Sequence, residues 1–566
     1  MESRKSKHDF HPVAPGIILI IAAPIFYYIL RYGVDVPYWD QWEYVGFFDH
    51  LSKGTLTLKE LFSQQNEYRQ LFPNIIFVCL GRFTNWNVRY EMMVIFGMAV
   101  IVSFNIFRLS ELTFKGSKWK KYLLLILANL LIFSPAQFEN WLFGVQIVYF
   151  VPIVCLTTGL LLCYSSIKKQ WIFFYCIVLG SISTLSSANG FLYWMILFPV
   201  VFMPINKSNM INLWPKILIW IFAATITLIL YLYNYHTPGN HPAIFELFHD
   251  PLKSFFYFFN LSGNPVGFGN NFQGSFWSGL FLLAGYILFI AYFIRQLRDN
   301  ELNRQLKVWI LLGSYSLLTG LLITLGRVGF GVGQSFSSRY LAFTLYLVIS
   351  VIYMASIVFE HRKKSVHPAK IHNYLFWFLS IFLILVQIFK YPASVNNLKA
   401  YHNAIQHAKA GLLFIHYIDH SKCQRMIYPA NFAELEKRAE ILDSLGYLRP
   451  GLIKSKVIEE IEGTDHLDAD FGAFSKLRVE PDSTFTVSGF ATLPYRNEPA
   501  DAILVTAKNG NRQSILIAFE NSGNPDWKIS IPIHDIPKIP SEINAWAFDA
   551  NTGKAYRLKN SHVLAE

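Results

Sequence analysis

The sequence predicts an α-helical polytopic membrane protein that carries a C-terminal extracytoplasmic helical segment and a small β-sandwich. Three observations lead there. Of 566 residues, 53% are hydrophobic, 17% aromatic and only 15% charged, where a soluble protein of this length carries about a quarter charged residues. Apolar stretches of bilayer length recur through residues 1–390, and the mean hydropathy is +0.32. From about residue 476 the pattern changes to short alternating runs.

The apolar stretches fall near 15–31, 90–108, 121–135, 143–164, 171–187, 190–205, 213–235, 276–294, 306–325, 340–359 and 371–390. Each approaches the roughly 17–25 residues that a helix needs to cross hydrocarbon, which predicts about eleven spans. No small-residue cleavage site follows the first stretch, so it reads as a retained span rather than a removable signal peptide. Segment 71–83 is apolar but too short to span and fits an interfacial or re-entrant helix. The aromatic run Phe255–Phe259 fits a helix lying on the bilayer.

Charge orients the spans. With the N-terminus cytoplasmic, the inner segments hold roughly twenty Lys and Arg in about 70 residues, and the outer loops roughly eight in about 125. Residues 32–89 then form one external loop, and the chain beyond 390 is also outside. The net charge of +12 is absorbed by cytoplasmic loops and calls for no nucleic acid. The five cysteines are scattered, three of them in apolar spans, so no disulfide framework or zinc motif is available.

The tail divides in two. Residues 394–420 and 431–446 read as helical within an extracytoplasmic connector, 391–475. Residues 476–566 carry runs such as Thr484–Val487, Ala502–Val505, Ser514–Ile517, Trp527–Ile531 and Ile543–Phe548, separated by turn clusters, which is the spacing of a small β-sandwich.

The candidate chemistry lies in the outer loops. Val36-Pro37-Tyr38-Trp39-Asp40-Gln41-Trp42-Glu43 sets two acids among aromatics just beyond the first span. Carboxylates wedged there are costly to keep dry, which suits a catalytic role. The plainer reading is aromatic anchors at the lipid interface with Asp40 and Glu43 facing water. Asn66-Glu67-Tyr68-Arg69 and a proline-containing half-helix follow, then Asn87-Val88-Arg89 before the second span.

This arrangement resembles the C-type glycosyltransferase (GT-C) fold. Its members are multi-spanning enzymes that take sugars from lipid-phosphate donors, among them protein O-mannosyltransferases and aminoarabinose transferases. The likeness covers about 1–390 in topology and the first outer loop in residue pattern. That family usually shows adjacent acids, whereas here Gln41 and Trp42 separate Asp40 from Glu43, so which acid acts stays open. Gly326–Gly331 followed by Ser337–Tyr340 looks like bacterial polytopic proteins of surface-polysaccharide pathways.

The resemblance implies an inverting glycosyltransferase of the bacterial inner membrane. Its partners would be a polyprenyl-phosphate-linked sugar donor, a glycan, lipid or protein acceptor, and the bilayer. Such transfer needs a base for the acceptor hydroxyl and positive charge for the departing phosphate. Asp40 is the first choice of base, with Glu43 orienting the acceptor or sharing the task. Glu139, in the second outer loop, is where this fold often places a second acid. Arg327 and Arg339 offer planar forks for phosphate, with flexible glycines between them. Glu67 and Arg69 face the same compartment, where Arg69 binds phosphate or simply pairs with Glu67. His236 fits a substrate-contacting or solvated loop better than a metal site. No cofactor is indicated with certainty, and a divalent cation is possible. The alternatives are a transporter or flippase of lipid-linked sugars, and an O-antigen polymerase or ligase, which relies on outward arginines without an acidic first loop.

Overall fold

The computed structural model describes residues 13–566 except 67, 203–206, 237–248, 268–270, 364–368, 418–426, 430, 467, 510–511, 519–524, 537–540 and 565–566. Glu67 therefore lies outside the described residues. The chain divides into two compact units. One comprises Met1–Arg31, Leu58–Phe77 and Glu91–Leu398; the other comprises Tyr32–Thr57, Val78–Tyr90 and Lys399–Glu566.

The first unit is helical. Nine helices among the described residues are long and apolar enough to cross a membrane: Val13–Tyr32, Arg89–Thr113, Lys118–Leu142, Gly144–Tyr164, Leu213–Leu232, Phe272–Arg295, Asn300–Phe330, Ser338–Arg362 and Ile371–Leu413. The expected eleven therefore reduce to nine of that length. The other two stretches form shorter helices, Lys169–Thr184 and Ala188–Val201. They are shortened because the chain reverses tightly between them. A Cβ on Gly190 would stand 1.9 Å from the Ser183 carbonyl oxygen, so only glycine fits the turn.

The surface of this unit is inverted relative to a water-soluble bundle. Ile20, Phe222, Phe281, Leu288 and Phe389 are 66–75% exposed, while Asn129 and Thr157 are fully buried. Apolar faces of that extent need an apolar medium or partner against them. Inside, the polar groups pair across helices, as in Ser103 Oγ donating to Asn129 Oδ1 at 2.5 Å and Asn105 Nδ2 to Thr158 Oγ1 at 3.0 Å. In the aromatic helix Pro251–Gly263, Tyr257, Phe259 and Leu261 are buried and Phe255 is exposed. Leu71–Thr84 forms the expected short helix.

The predicted span 371–390 and the predicted tail helix from 394 are continuous. One helix, Ala369–Leu413, continues through Pro392 and passes from the first unit into the second at Leu398. Its apolar phase never slips: Leu398, Ile405, Ala408 and Leu412 are all buried at spacings of three, four and seven. Phe432–Ser444 is the second expected tail helix, capped by the Asn431 side chain accepting from the Ala433 N–H.

The β-sandwich follows. Numbering from the short hairpin β1 (Gln64–Gln65) and β2 (Tyr68–Arg69) of the first unit, one sheet joins β3 (Gly472–Val479), β4 (Thr484–Leu493) and β5 (Glu498–Pro499), with β8 (Asp526–Pro532) on β4. The other runs β10 (Lys554–Arg557), β9 (Ser541–Asp549), β6 (Ala502–Asn509), β7 (Arg512–Ala518), with β11 (His562–Leu564) on β9. Phe474, Phe485, Val487 and Ile531 from the first sheet share one core with Ile503, Val505, Ile543 and Ala545 from the second. The alternation is plain in β8, where Trp527, Ile529 and Ile531 are buried and Lys528 and Ser530 exposed. All five expected runs form strands. The sandwich begins at Gly472, upstream of the expected 476, because Phe471 and Phe474 complete its core.

A buried ionic knot joins two strand ends. Arg496 donates from Nε to Glu498 at 2.9 Å and from Nη1 to Asp501 at 2.7 Å and Asp549 at 2.8 Å, and Tyr495 donates to Asp549 at 2.7 Å.

Candidate functional site

The second unit contains the acidic turn. Trp39–Tyr44 is a 3₁₀ helix with Trp42 and Tyr44 fully buried. At three residues per turn, Asp40 and Glu43 lie one above the other, and both are exposed. The turn is held tightly. Trp39 adopts φ +48°, a strained value for a bulky residue, and the Tyr38 N–H donates to Gln41 Oε1 at 3.0 Å. Glu43 is gripped at both oxygens by Arg438, whose Nη1 and Nη2 each lie at 2.9 Å, and it accepts from the Tyr428 hydroxyl at 2.8 Å. This forked pairing makes Glu43 an anchor of the turn. Asp35, five residues before Asp40, accepts from the Val88 N–H at 3.1 Å and lies 3.6 Å from Arg449 Nη2. Burial raises its proton affinity against the opposing pull of Lys409 and Arg449. Asp35 thus ties the acidic loop to Asn87–Arg89.

The first unit contains a cavity of about 250 Å³, lined by Tyr68, Tyr149, Asn189, Tyr235, Arg327 and Tyr340, with Ser187 and Thr319 among its other polar residues. Arg327 closes the helix Asn300–Arg327, where a cation suits the carbonyl-rich end. Gly331, at φ +103°, then lets the chain fold back between the turns Val328–Phe330 and Val332–Phe336. Tyr68 enters from β2 and hydrogen-bonds Tyr149. Desolvation and the neighbouring phenols hold the Tyr68 hydroxyl well above its usual range, so it stays a neutral donor. Asn189 is oriented by its bond to the Tyr315 hydroxyl at 2.9 Å. No described residue lining this cavity is acidic. A cation among phenols and an amide is a lining that suits an anion with several oxygens.

The remaining candidates build the wall. Arg69 is buried, with Nε donating to the Tyr231 carbonyl at 3.0 Å and its two terminal nitrogens to the Tyr233 and Phe62 carbonyls. Gln64, across the hairpin, accepts from the His236 N–H at 3.0 Å and donates to the His236 carbonyl at 2.6 Å. The hairpin therefore pins segment 231–236, which delivers Tyr235 to the cavity. Arg69 positions; the His236 ring is exposed.

Glu139 and Arg339 meet. Glu139 Oε2 accepts from Ser338 Oγ at 2.6 Å, Ser337 Oγ at 3.1 Å and the Arg339 N–H at 3.2 Å. Arg339 Nε donates to Ser337 Oγ at 3.1 Å, and its carbonyl accepts from Asn140 at 3.2 Å. Glu139 is a clip that fixes the turn before Tyr340. Glu139→Ala is expected to lower stability by about 1–3 kcal/mol, since it leaves three donors without their acceptor, and thermal unfolding in detergent measures this.

Tyr68 and Tyr340 sat inside motifs that the sequence already singled out. Tyr149, Asn189 and Tyr235 lay in or beside apolar spans and gave no local signal. Among the described residues, side chains that converge as a metal-binding group are His416, Glu436 and Glu440, in the second unit. Comparison with protein-family models, curated proteins and solved structures finds no match.

Proposed function

We propose that the protein is a multi-pass glycosyltransferase of the bacterial inner membrane, of GT-C type, with its N-terminus cytoplasmic and its C-terminus outside. It transfers a sugar from a polyprenyl-phosphate donor to a glycan, lipid or protein acceptor. The observation that carries this reading is the cavity with Arg327 at its wall and no acid among its described lining residues. It suits the phosphate of a lipid-linked sugar. The apolar outer faces of the helical unit suit a bilayer, and the basic asymmetry of the sequence supports this orientation.

In the proposed reaction the acceptor oxygen attacks the anomeric carbon from the face opposite the phosphate. The carbon–oxygen bond to phosphate breaks with inversion, Arg327 stabilises the leaving phosphate, and a carboxylate base, for which Asp40 is the first choice from the sequence, takes the acceptor proton. Glu43 holds the turn that carries Asp40.

The transporter reading draws on ionisable groups buried in the helical unit, such as Lys390, whose Nζ donates to the Asn264 carbonyl at 2.8 Å. Mass spectrometry of surface glycans and lipid-linked sugars in a deletion strain separates the two. A glycosyltransferase leaves one monosaccharide missing from its acceptor while the charged donor accumulates. A transporter leaves whole lipid-linked units stranded. In the complemented strain, Arg327→Ala is expected to weaken donor binding roughly 10–100-fold, the equivalent of one charged hydrogen bond of about 1.5–3 kcal/mol. Unchanged donor affinity would remove Arg327 from the site.

A further inference from the structure

Apart from the transfer chemistry, we propose that His416, Glu436 and Glu440 form a binding site for a divalent transition-metal ion, zinc above all. The three belong to one unit and come from two elements. His416 follows the long helix Ala369–Leu413, and the glutamates stand one turn apart on Phe432–Ser444. His416 Nδ1 lies 3.1 Å from Glu436 Oε1, and Nε2 lies 3.8 Å from Glu440 Oε1. One ligand atom from each residue falls within 4.8 Å of the others. Zinc bonds of about 2.0–2.1 Å in a tetrahedron place ligand atoms roughly 3.3 Å apart. These two distances are to different ring nitrogens and a single zinc takes one of them, so binding requires the Glu440 side chain, 58% exposed, to swing toward the nitrogen that faces Glu436, from ligand atoms that already lie within 4.8 Å of one another.

Chemistry favours a cation here. Glutamates at i and i+4 repel one another and weaken a helix unless a positive charge stands between them. Arg438, on the same helix, does not serve that need, because it is engaged with Glu43 and Glu434. An imidazole with two carboxylates is a nitrogen and oxygen donor set, which suits zinc more than calcium or magnesium, and it leaves a fourth position for water. The competing occupant is a proton, which would make His416 an imidazolium bridging both acids. The metal would close the chain between residues 416 and 436. It would also brace the helix whose Arg438 holds Glu43, and so stiffen the acidic turn from a distance.

The test uses the full-length protein, purified in detergent with any affinity tag removed. Titration with zinc, followed by calorimetry, is expected to show one saturable equivalent and a raised unfolding temperature. Cobalt is expected to give the absorption bands of a tetrahedral site. His416→Ala and the double change Glu436→Gln with Glu440→Gln should each weaken zinc binding at least tenfold. Both sets of side chains lie at the surface or only half-buried, and circular dichroism reports whether each variant folds. Equal zinc affinity in wild type and both variants would overturn the proposal, as would a wild-type protein that binds no zinc and leaves His416 to a proton.

Discussion

Asp40→Asn is expected to reduce sugar transfer about 10²–10⁴-fold, the usual cost of losing a general base. The change keeps size and most hydrogen bonding, so expression and donor binding should stay close to wild type. The turn around Asp40 should also survive, because Gln41, Trp42 and the Glu43–Arg438 pair hold it. Glu43→Gln should fall between wild type and Asp40→Asn, since it loosens the anchor without removing the base. Glycan analysis of complemented deletion strains, at matched expression, measures both. Near-normal transfer by Asp40→Asn would move the base to Glu43 or Glu139. If all three acids were dispensable together, the glycosyltransferase reading would give way to the transporter or the arginine-based polymerase.

Arg496→Ala is expected to cost the second unit about 3–5 kcal/mol, because it strands buried carboxylates without their counter-charge. Three acids converge on this one guanidinium, whose side chain is 12% exposed. Arg496→Lys should rescue little, because an ammonium cannot span three carboxylates in fixed directions. Thermal unfolding and limited proteolysis of the full-length protein measure the loss, and a change below about 1 kcal/mol would show the knot to be dispensable. The same knot gives a pH dependence. Burial pushes Glu498 up, but His402 and Arg496 outweigh it and hold its carboxyl at about 2, below the ordinary 4.5. A depressed acid stabilises the fold above its unfolded value. That contribution should fade as pH drops from about 4.5 toward 2, and Glu498→Gln should flatten the stability curve in that window.

The residues that the sequence marked for chemistry fall into two groups in the structure. Asp40 is exposed on its turn and Arg327 lines the cavity. Arg69, Glu139 and Glu43 are engaged by their own protein. Composition could not separate these groups, because an arginine that binds phosphate and one that binds three backbone carbonyls are the same letter. Glu43 meets Arg438 across 395 positions, and Glu139 meets the Arg339 N–H across 200.

What the sequence determined alone is whatever rests on local period and solvent preference. Bilayer-length apolar helices, the short helix after Arg69, and the β-runs from Thr484 onward are each set by the side chains within one element. Those preferences act over a few residues and survive any tertiary arrangement. Three things were decided by tertiary structure. The span 371–390 and the tail helix from 394 joined into one helix, Ala369–Leu413, because its buried face stayed in phase. The stretches around Gly190 shortened, because two backbones meet there at a distance that no Cβ allows. The cavity beside Arg327 formed because Tyr68, Tyr149, Asn189, Tyr235, Arg327 and Tyr340 arrive from six separate segments. A pocket is a property of distances between segments, and no window of sequence contains those distances.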